Sequence, residues 1–236
     1  MAGQINFWLA IDEGDVRVTV KTELDDLSII AQQKAISLDR LAFEARMFDP
    51  SSDNNIWVQK AEMRTGDARV EIDRLQLSRL GSGWRVRTQD VGIDPLTELL
   101  IKSGALPERT STMLTGLKPR GFVSSLEWSV NSILDPFADW QVSAELSDFS
   151  VDPYRKIPGL LGIDASIDAT DSGAQAWIQT NEFTLTLPGI YRSPINIDRV
   201  VGKLSGTWQK DALFLENGLF LAKMVDHEGL VQFEMD

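Results

Sequence analysis

The sequence contains no cysteine and only one histidine among its 236 residues. The lack of cysteine excludes disulfides and thiolate sites, and it is compatible with both the cytoplasm and the bacterial periplasm. No apolar run approaches the roughly 20 residues that a membrane-spanning helix needs. A charged n-region and an A-x-A cleavage site are missing too. We therefore interpret Met1-Ala2-Gly3 as a start joined to the interior of a longer protein, whose anchors and targeting signals would lie outside this chain.

Basic residues are fewer than acidic residues. The chain has 23 Lys and Arg against 35 Asp and Glu, a formal net charge of −12 and a pI near 4.6. A phosphate-binding surface needs the opposite balance, so we expect no nucleic-acid partner. Hydrophobic residues make up 43% of the chain, which is enough to bury a core and excludes a disordered tail.

Local catalytic motifs are also missing. There is no Gly-rich phosphate loop, and a single histidine leaves no spare base for a serine nucleophile at 81–83. The acidic stretches at 49–55 and 168–173 lack the ligand spacing and terminal Glu of a calcium loop. Distant carboxylates could converge as in glycosidases, but no local feature supports it. We therefore expect a protein that is not an enzyme and uses no metal or cofactor.

Most of the chain alternates apolar and polar residues with period two, which is typical of β-strands. Turn signals separate the runs, at DEGD (12–15), RTGD (64–67), GSG (81–83) and TDSG (170–173). The same alternation places Phe122 in phase with Leu126, and Leu161 in phase with Ile163. The sequence therefore predicts a mainly β protein.

One region departs from this rhythm and carries helix signals near 94–117. In DPLTELLIKSG, Asp94 stands at a cap position and Pro95 at the first helical position, and PERTSTMLTGL repeats the signal more weakly. We predict a first β block at 1–93, a helical connection at 94–120 and a second β block at 121–236, as one continuous extended unit.

A repeated figure breaks the strand alternation. In VEIDRLQLS (70–78), Val70 and Ile72 share one phase, but Leu75 and Leu77 take the other, because the step from 72 to 75 is odd. Such a change indicates either a β-bulge or a strand that crosses from the core to a second contact, and the sequence leaves both open. Close copies lie at 36–44 and 195–203, and looser ones at 20–30 and 142–151.

Two further features favour an extended, curled sheet over a closed β-sandwich. Trp84 precedes Asp94-Pro95 much as Trp140 precedes Asp152-Pro153, an imperfect repeat of the kind found in stacked architectures. Tryptophans are also spread over nearly every strand, and one apolar concave face would use them all similarly. They are Trp8, Trp57, Trp84, Trp128, Trp140, Trp177 and Trp208.

The segment GLKPRGFVSSLEWSV (116–130) resembles part of the YhdP proteins, Gram-negative envelope proteins of the AsmA-like group related to TamB. The stretch from Trp140 to Trp208 is similar in its order of motifs, with IYRSP at 190–194 ahead of INIDRVVGKLSGTW. The tail from Gly218 matches the next hairpin, although the family more often has Asn-Ala-Asp near 224–226. The resemblance is close over the larger part of the chain and loose at its start.

This resemblance implies a repeating β-groove, a long and strongly bent antiparallel sheet with an apolar hollow. It also implies a section of a bridge that conducts phospholipid acyl chains between the inner and outer membranes. The protein would be periplasmic, and the missing part of the chain would supply an inner-membrane anchor. The repeated figure would mark the bends that let one ribbon form both floor and wall. The alternative is a non-catalytic β-sandwich that serves as a scaffold or interaction module of the cell envelope.

An apolar groove holds acyl chains without specific bonds, at about 0.8 kcal/mol per buried CH₂. We expect the negative charge to lie on the convex side, and the exposed groove and cut sheet edges to favour self-association. Ordinary core packing would explain each candidate residue as well. The predicted groove wall consists of Phe7, Leu9, Val18, Val20, Phe43, Leu126, Trp128, Ile163, Ile167, Phe183 and Leu185.

Overall fold

A computed structural model describes residues 2–12, 15–31, 34–48, 55–132, 139–155, 157–209, 212–224 and 227–234. Fourteen strands over these residues form one open antiparallel sheet, which confirms the predicted mainly β fold. No second sheet faces it within the described residues, so the alternative of a closed sandwich is wrong as a description of the architecture.

The strands follow one another across the sheet in chain order, and β7 pairs with β8 beside β6. The first seven are β1 (Ala2–Asp12), β2 (Asp15–Ala31), β3 (Lys34–Phe48), β4 (Asn55–Thr65), β5 (Ala68–Leu80), β6 (Gly83–Thr88) and β7 (Val91–Gly92). Helices α1 (Ile93–Lys102) and α2 (Glu108–Leu117) follow. The others are β8 (Arg120–Val130), β9 (Trp140–Val151), β10 (Gly159–Thr170), β11 (Gly173–Thr186), β12 (Ile195–Gln209), β13 (Ala212–Met224) and β14 (His227–Glu234).

Tight turns join neighbouring strands, as chain-order pairing requires. Turns at residues 66–67, 81–82 and 171–172 stand where the sequence predicts them. Residues 13–14 of the predicted turn at 12–15 and residues 49–54 of the predicted loop at 49–55 lie outside the described residues. Because β6 pairs directly with β8, the sheet continues past the helical connection.

Helix α1 begins at Ile93, two residues before the predicted first helical position at Pro95. Gly92 occupies the N-cap position, so the assignment of Asp94 to the cap is wrong. A Cβ at Gly92 would lie 2.8 Å from Pro95 Cγ, and the close approach of the proline ring therefore requires glycine there. Asp94 stays in the first turn, where the helix dipole favours a negative charge.

Helix α1 covers the first of two apolar clusters. Cluster 1 is built on Leu38, Ala61, Ala68, Val70, Ile72, Val91 and Leu99, and Leu99 is its contribution from α1. Cluster 2 is built on Ile163, Phe183, Ile197 and Val200, from β10, β11 and β12.

Polar contacts fasten the end of α1 to the sheet. The Ser37 amide donates to the Ser103 carbonyl at 3.0 Å, and the Lys102 ammonium donates to Asp67 and, at 2.5 Å, to Glu98. The hydrogen bond from Lys102 lowers the pKa of Asp67 and raises the pKa of Lys102.

Several strands between β2 and β12 shift the phase of their apolar residues part-way along, and β2 with β3 shows how. Asp25 pairs with Arg40 and Leu27 with Leu38, so the register is the same on both sides of Asp26. Asp26 itself has a left-handed backbone with φ of 53° and stands outside the ladder. One residue in such a bulged conformation places every later side chain of its strand on the opposite face from the one that unbroken alternation predicts.

The repeated figure marks these interruptions, as predicted. In three copies its aspartate faces a left-handed residue of the neighbouring strand: Asp39 faces Asp26, Asp73 faces Lys60, and Asp198 faces Glu182. In the other two copies the left-handed residue is an aspartate of the figure itself, Asp26 or Asp148.

The phase change keeps apolar residues on one face of the sheet. Ile72 and Leu75 lie on either side of the break in β5, and both pack in cluster 1. Ile178 and Phe183 flank Glu182 in β11, and both pack in cluster 2. With unbroken alternation the members of each pair would point to opposite faces.

Side chains satisfy backbone groups near the interruptions. Asp39 Oδ2 accepts a hydrogen bond from the Gly66 amide at 2.7 Å. Thr180, only 2% exposed, donates from its hydroxyl to the Gly162 carbonyl at 2.9 Å. Since an unpaired buried carbonyl is costly, such contacts stabilise the interrupted ladder.

Candidate apolar binding surface

Directly opposite residues of paired strands share a face, so the register shows which side chains line each side of the sheet. One series of such partners runs without interruption from β1 to β13. It is apolar throughout, except for one threonine. We call it row one: Phe7, Val20, Ala45, Val58, Leu75, Thr88, Leu126, Ala144, Ile167, Ala176, Leu204 and Gly218.

A second series runs beside row one on the same face, two residues along each strand. Row two consists of Leu9, Val18, Met47, Ile56, Leu77, Val86, Trp128, Val142, Ala169, Ala174 and Gly206. No member of either row carries a charge. At ~4.8 Å between neighbouring strands, row one extends for about 50 Å. We call the side that carries both rows the apolar face.

Exposure changes along the rows. The inner members Val58, Leu75 and Trp128 are half-buried, although no second sheet covers them in the part of the chain that the structure describes. On the edge strand β1, in contrast, Phe7 and Leu9 are 70% and 66% exposed. The apolar face is thus partly shielded within the sheet and open to solvent at this edge.

The structure places all eleven predicted groove residues on this apolar side. Seven lie in the rows: Phe7, Leu9, Val18, Val20, Leu126, Trp128 and Ile167. Phe43 packs against cluster 1, while Ile163, Phe183 and Leu185 belong to cluster 2 or pack against it. Their contact with lipid stays a prediction, because cluster packing alone accounts for the last four.

Two apolar residues that the alternation placed with this set lie elsewhere. Phe122 was expected in phase with Leu126 but is 55% exposed, because the register shifts between Val123 and Ser125. Leu161 was expected in phase with Ile163 and is 54% exposed, because Gly162 between them has φ of 82°. Both predictions were wrong because they assumed a straight strand.

We call the opposite side of the sheet the polar face. It carries charged and polar side chains from β3 to β10, whereas Val201, Leu219 and Leu221 are exposed on it at β12 and β13. Its register series includes Arg46, Gln76, Arg87, Glu127 and Asp168. Arg87 Nε lies 2.7 Å from Glu127 Oε2 and Arg85 Nε lies 2.9 Å from Glu127 Oε1. On the same face, the hydrogen bond from Lys21 lowers the pKa of Glu23. The charges of these strands therefore point away from the two rows.

The tryptophans divide between the faces, so the expectation that all serve one apolar face is wrong. Trp84, Trp128 and Trp140 lie on the apolar face, since Val130 pairs with Trp84 and Trp140. Trp8 and Trp57 are exposed on the polar face, as is Trp177, whose ring lies 5.0 Å from Lys203 Nζ. The side chain of Trp208 lies outside the described set.

The profile of the YhdP protein family matches residues 1–219. The chain belongs to the YhdP family. No curated protein and no solved structure matches the sequence.

The described part of the chain has no helix long and apolar enough to cross a membrane. Within the same residues, no group of three or more acidic or histidine side chains could hold a metal ion.

Proposed function

We propose that this chain is a section of a bridge-like lipid carrier. Its apolar face would conduct phospholipid acyl chains between the inner and outer membranes. The observation that carries the proposal is the pair of uncharged rows that crosses the sheet through β12 without a break. Membership of the YhdP family is consistent with a general role in lipid transport.

The composition of the two rows suits the movement of acyl chains along the sheet better than their tight binding at one place. Acyl chains leave water at about 0.8 kcal/mol per buried CH₂, so many weak contacts suffice to hold them. Row one has one hydroxyl, on Thr88, and it donates to the Arg74 carbonyl at 2.9 Å. The Thr88 hydroxyl is therefore already bonded to the backbone and is not free to hold a passing chain.

The length of the rows matches this role. One leaflet contributes about 15 Å of acyl chain, half of a hydrocarbon core of ~30 Å. The apolar face is several times longer than that, so a lipid would pass from strand to strand instead of occupying one pocket. We place the chain in the periplasm, as part of a longer protein anchored in the inner membrane, without catalytic activity or cofactor.

The direct test is native mass spectrometry of protein purified without detergent, followed by lipid extraction. We expect phospholipid at a defined stoichiometry. Trp128→Asp places a charge in row two and should abolish retention, whereas Ser129→Asp places the same charge on the other face of β8 and should not. Circular dichroism checks that both variants fold. A folded protein that stays lipid-free when offered liposomes would refute the carrier and favour a scaffolding role.

A further inference from the structure

A cavity of about 710 Å³ lies between α2 and the connection from β9 to β10. Its walls come from Glu108, Arg109 and Met113 on the helix and from Tyr154, Arg155 and Ile157 on the connection. The cavity is within the size range of small-molecule sites. It lies outside the two rows.

The walls of this cavity are held by close contacts. A Cβ at Gly116 would lie 2.2 Å from Tyr154 Cδ2, so the tyrosine ring rests directly on the glycine of α2. Tyr154 and Ile157 exchange backbone hydrogen bonds of 3.1 and 2.9 Å. Tyr154 is therefore held against the helix, and Ile157 is held to Tyr154.

The lining combines apolar surface with two guanidinium groups. Met113 and Ile157 are each 40% exposed at the cavity. Arg155 lies 5.1 Å from the centroid of the Tyr154 ring, and its backbone is left-handed with φ of 56°. Such a conformation is costly for a side chain other than glycine and is often retained at binding sites.

The charge balance of the cavity is the reverse of that of the chain. Among the described residues neither Arg109 nor Arg155 makes an ion pair, whereas nearby Lys118 and Arg120 are both paired with Asp152. Among the described residues of the lining, only Glu108 offsets the two guanidinium groups, so these residues carry one net positive charge in a chain of −12. Arginine pairs favourably with phosphate oxygens.

We infer that this cavity binds the headgroup and first acyl carbons of an anionic phospholipid, a phosphodiester without a compensating amine. The arginines would contact the phosphate, and Met113, Ile157 and the Tyr154 ring would contact the adjoining carbons. An ethanolamine headgroup would bring its own ammonium to the same cations. The inference rests on the proposed function and adds the lipid class to it.

The position of the cavity allows its lipid to reach the apolar face. Ile157 is two residues from the start of β10, whose Leu160 packs against cluster 2. The Asp152 amide donates to the Leu117 carbonyl at 2.6 Å, which joins the end of α2 to the end of β9. A headgroup in the cavity would therefore leave its acyl chains next to apolar residues of the sheet.

The test offers the folded protein equal amounts of phosphatidylglycerol and phosphatidylethanolamine in mixed vesicles, then measures the retained ratio by native mass spectrometry. Wild type should prefer phosphatidylglycerol. The double substitution R109Q/R155Q should bring that ratio close to one, because the two cations that repel the ethanolamine ammonium are then gone. The matched control R64Q/R79Q removes two exposed guanidinium groups elsewhere and should leave the ratio unchanged. Gly116→Ala displaces Tyr154 without changing charge and should also lower phosphatidylglycerol retention.

Each contrary result has a separate meaning. Equal retention of the two lipids by wild type would overturn this inference and leave the carrier intact. An equal loss of preference in R64Q/R79Q would overturn it as well, because net charge would then be the cause. If sn-glycerol 3-phosphate bound as tightly as the lipid, the site would be one for free phosphate esters. Retention of neither lipid would refute the proposed function and this site together.

Discussion

Lys60 of β4 and Asp73 of β5 face each other at the only step where the ladder between these strands is interrupted. Gln59 pairs with Arg74 before the step and Ala61 pairs with Ile72 after it, so no register is lost. Lys60 has φ of 53°, in a region that costs an L-residue roughly 1–2 kcal/mol. The sheet accepts this strain because the phase change brings Ile72 and Leu75 to the same side.

Because Lys60 is strained, we predict that glycine substitutions at Lys60 and Arg64 change the free energy of unfolding in opposite directions. Lys60→Gly should stabilise the protein by about 1 kcal/mol, because glycine adopts the left-handed region freely. Arg64→Gly, at an exposed and extended position of the same strand, should destabilise it by about 0.5–1 kcal/mol. Urea unfolding of the two variants gives both values. An equal loss of stability in both would show that Lys60 is not strained.

The buried hydroxyl at the break in β10 leads to a second prediction. Thr180→Val removes the donor to the Gly162 carbonyl and should cost about 1–3 kcal/mol, because that carbonyl is left unpaired in a buried place. Thr184→Val removes a hydroxyl that donates to Asn196 Oδ1 at 3.0 Å near the surface and should cost less than about 0.5 kcal/mol. Thermal unfolding measures both. Similar losses would mean that the bend does not depend on Thr180.

The ion pair between Asp67 and Lys102 should make the packing of α1 against the sheet weaker at low pH. The folded-state pKa of Asp67 lies below its usual value. The contribution of the pair to stability is therefore complete above the unfolded pKa of about 3.9, and it is lost as the pH falls through the folded-state pKa. Hydrogen exchange of the α1 amides should therefore accelerate below pH ~4 relative to an Asp67→Asn variant measured at the same pH. Both groups are solvent-exposed, so added salt should weaken the difference. Identical acid dependence in the variant would rule the pair out as the cause.

The open edge at β1 should promote self-association. Phe7 is exposed on the apolar side of this edge strand, where an unpaired backbone also invites another strand. Phe7→Lys should lower the association constant seen in sedimentation velocity, because a charge on the apolar face opposes stacking. Asn6→Lys adds the same charge to the opposite face and should have a smaller effect. Concentration-independent sedimentation of the wild type would contradict this prediction.

The sequence was sufficient to predict the class of the fold and much of the apolar face. Period-two alternation, turn signals and the repeated Asp-containing figure predict strands, hairpins and five of the phase changes, and these agree with the structure. The breaks at Lys60, Asp90, Gly162 and Glu182 were not recognised. Their left-handed residues differ in chemistry, and the odd steps around them resemble ordinary variation in a strand.

The misassigned residues have the same physical origin. A single unrecognised bulge reverses the face of every residue beyond it, which is why Phe122 and Leu161 were placed on the wrong side. The tryptophans divide between the faces for a related reason, because side-chain size says nothing about phase. The cavity beside α2 was missed because it depends on contact between Gly116 and Tyr154, which are distant in sequence.

The central claim is that lipid runs along the apolar face and not along the polar face. Photo-crosslinking with a benzophenone amino acid tests it most directly, at Phe7 and Trp128 in the rows and at the exposed Trp57 and Trp177 on the other side. Intact-mass analysis after irradiation in cells should show phospholipid adducts at the first two positions and none at the other two. Adducts of equal yield on both faces, or on neither, would contradict the account.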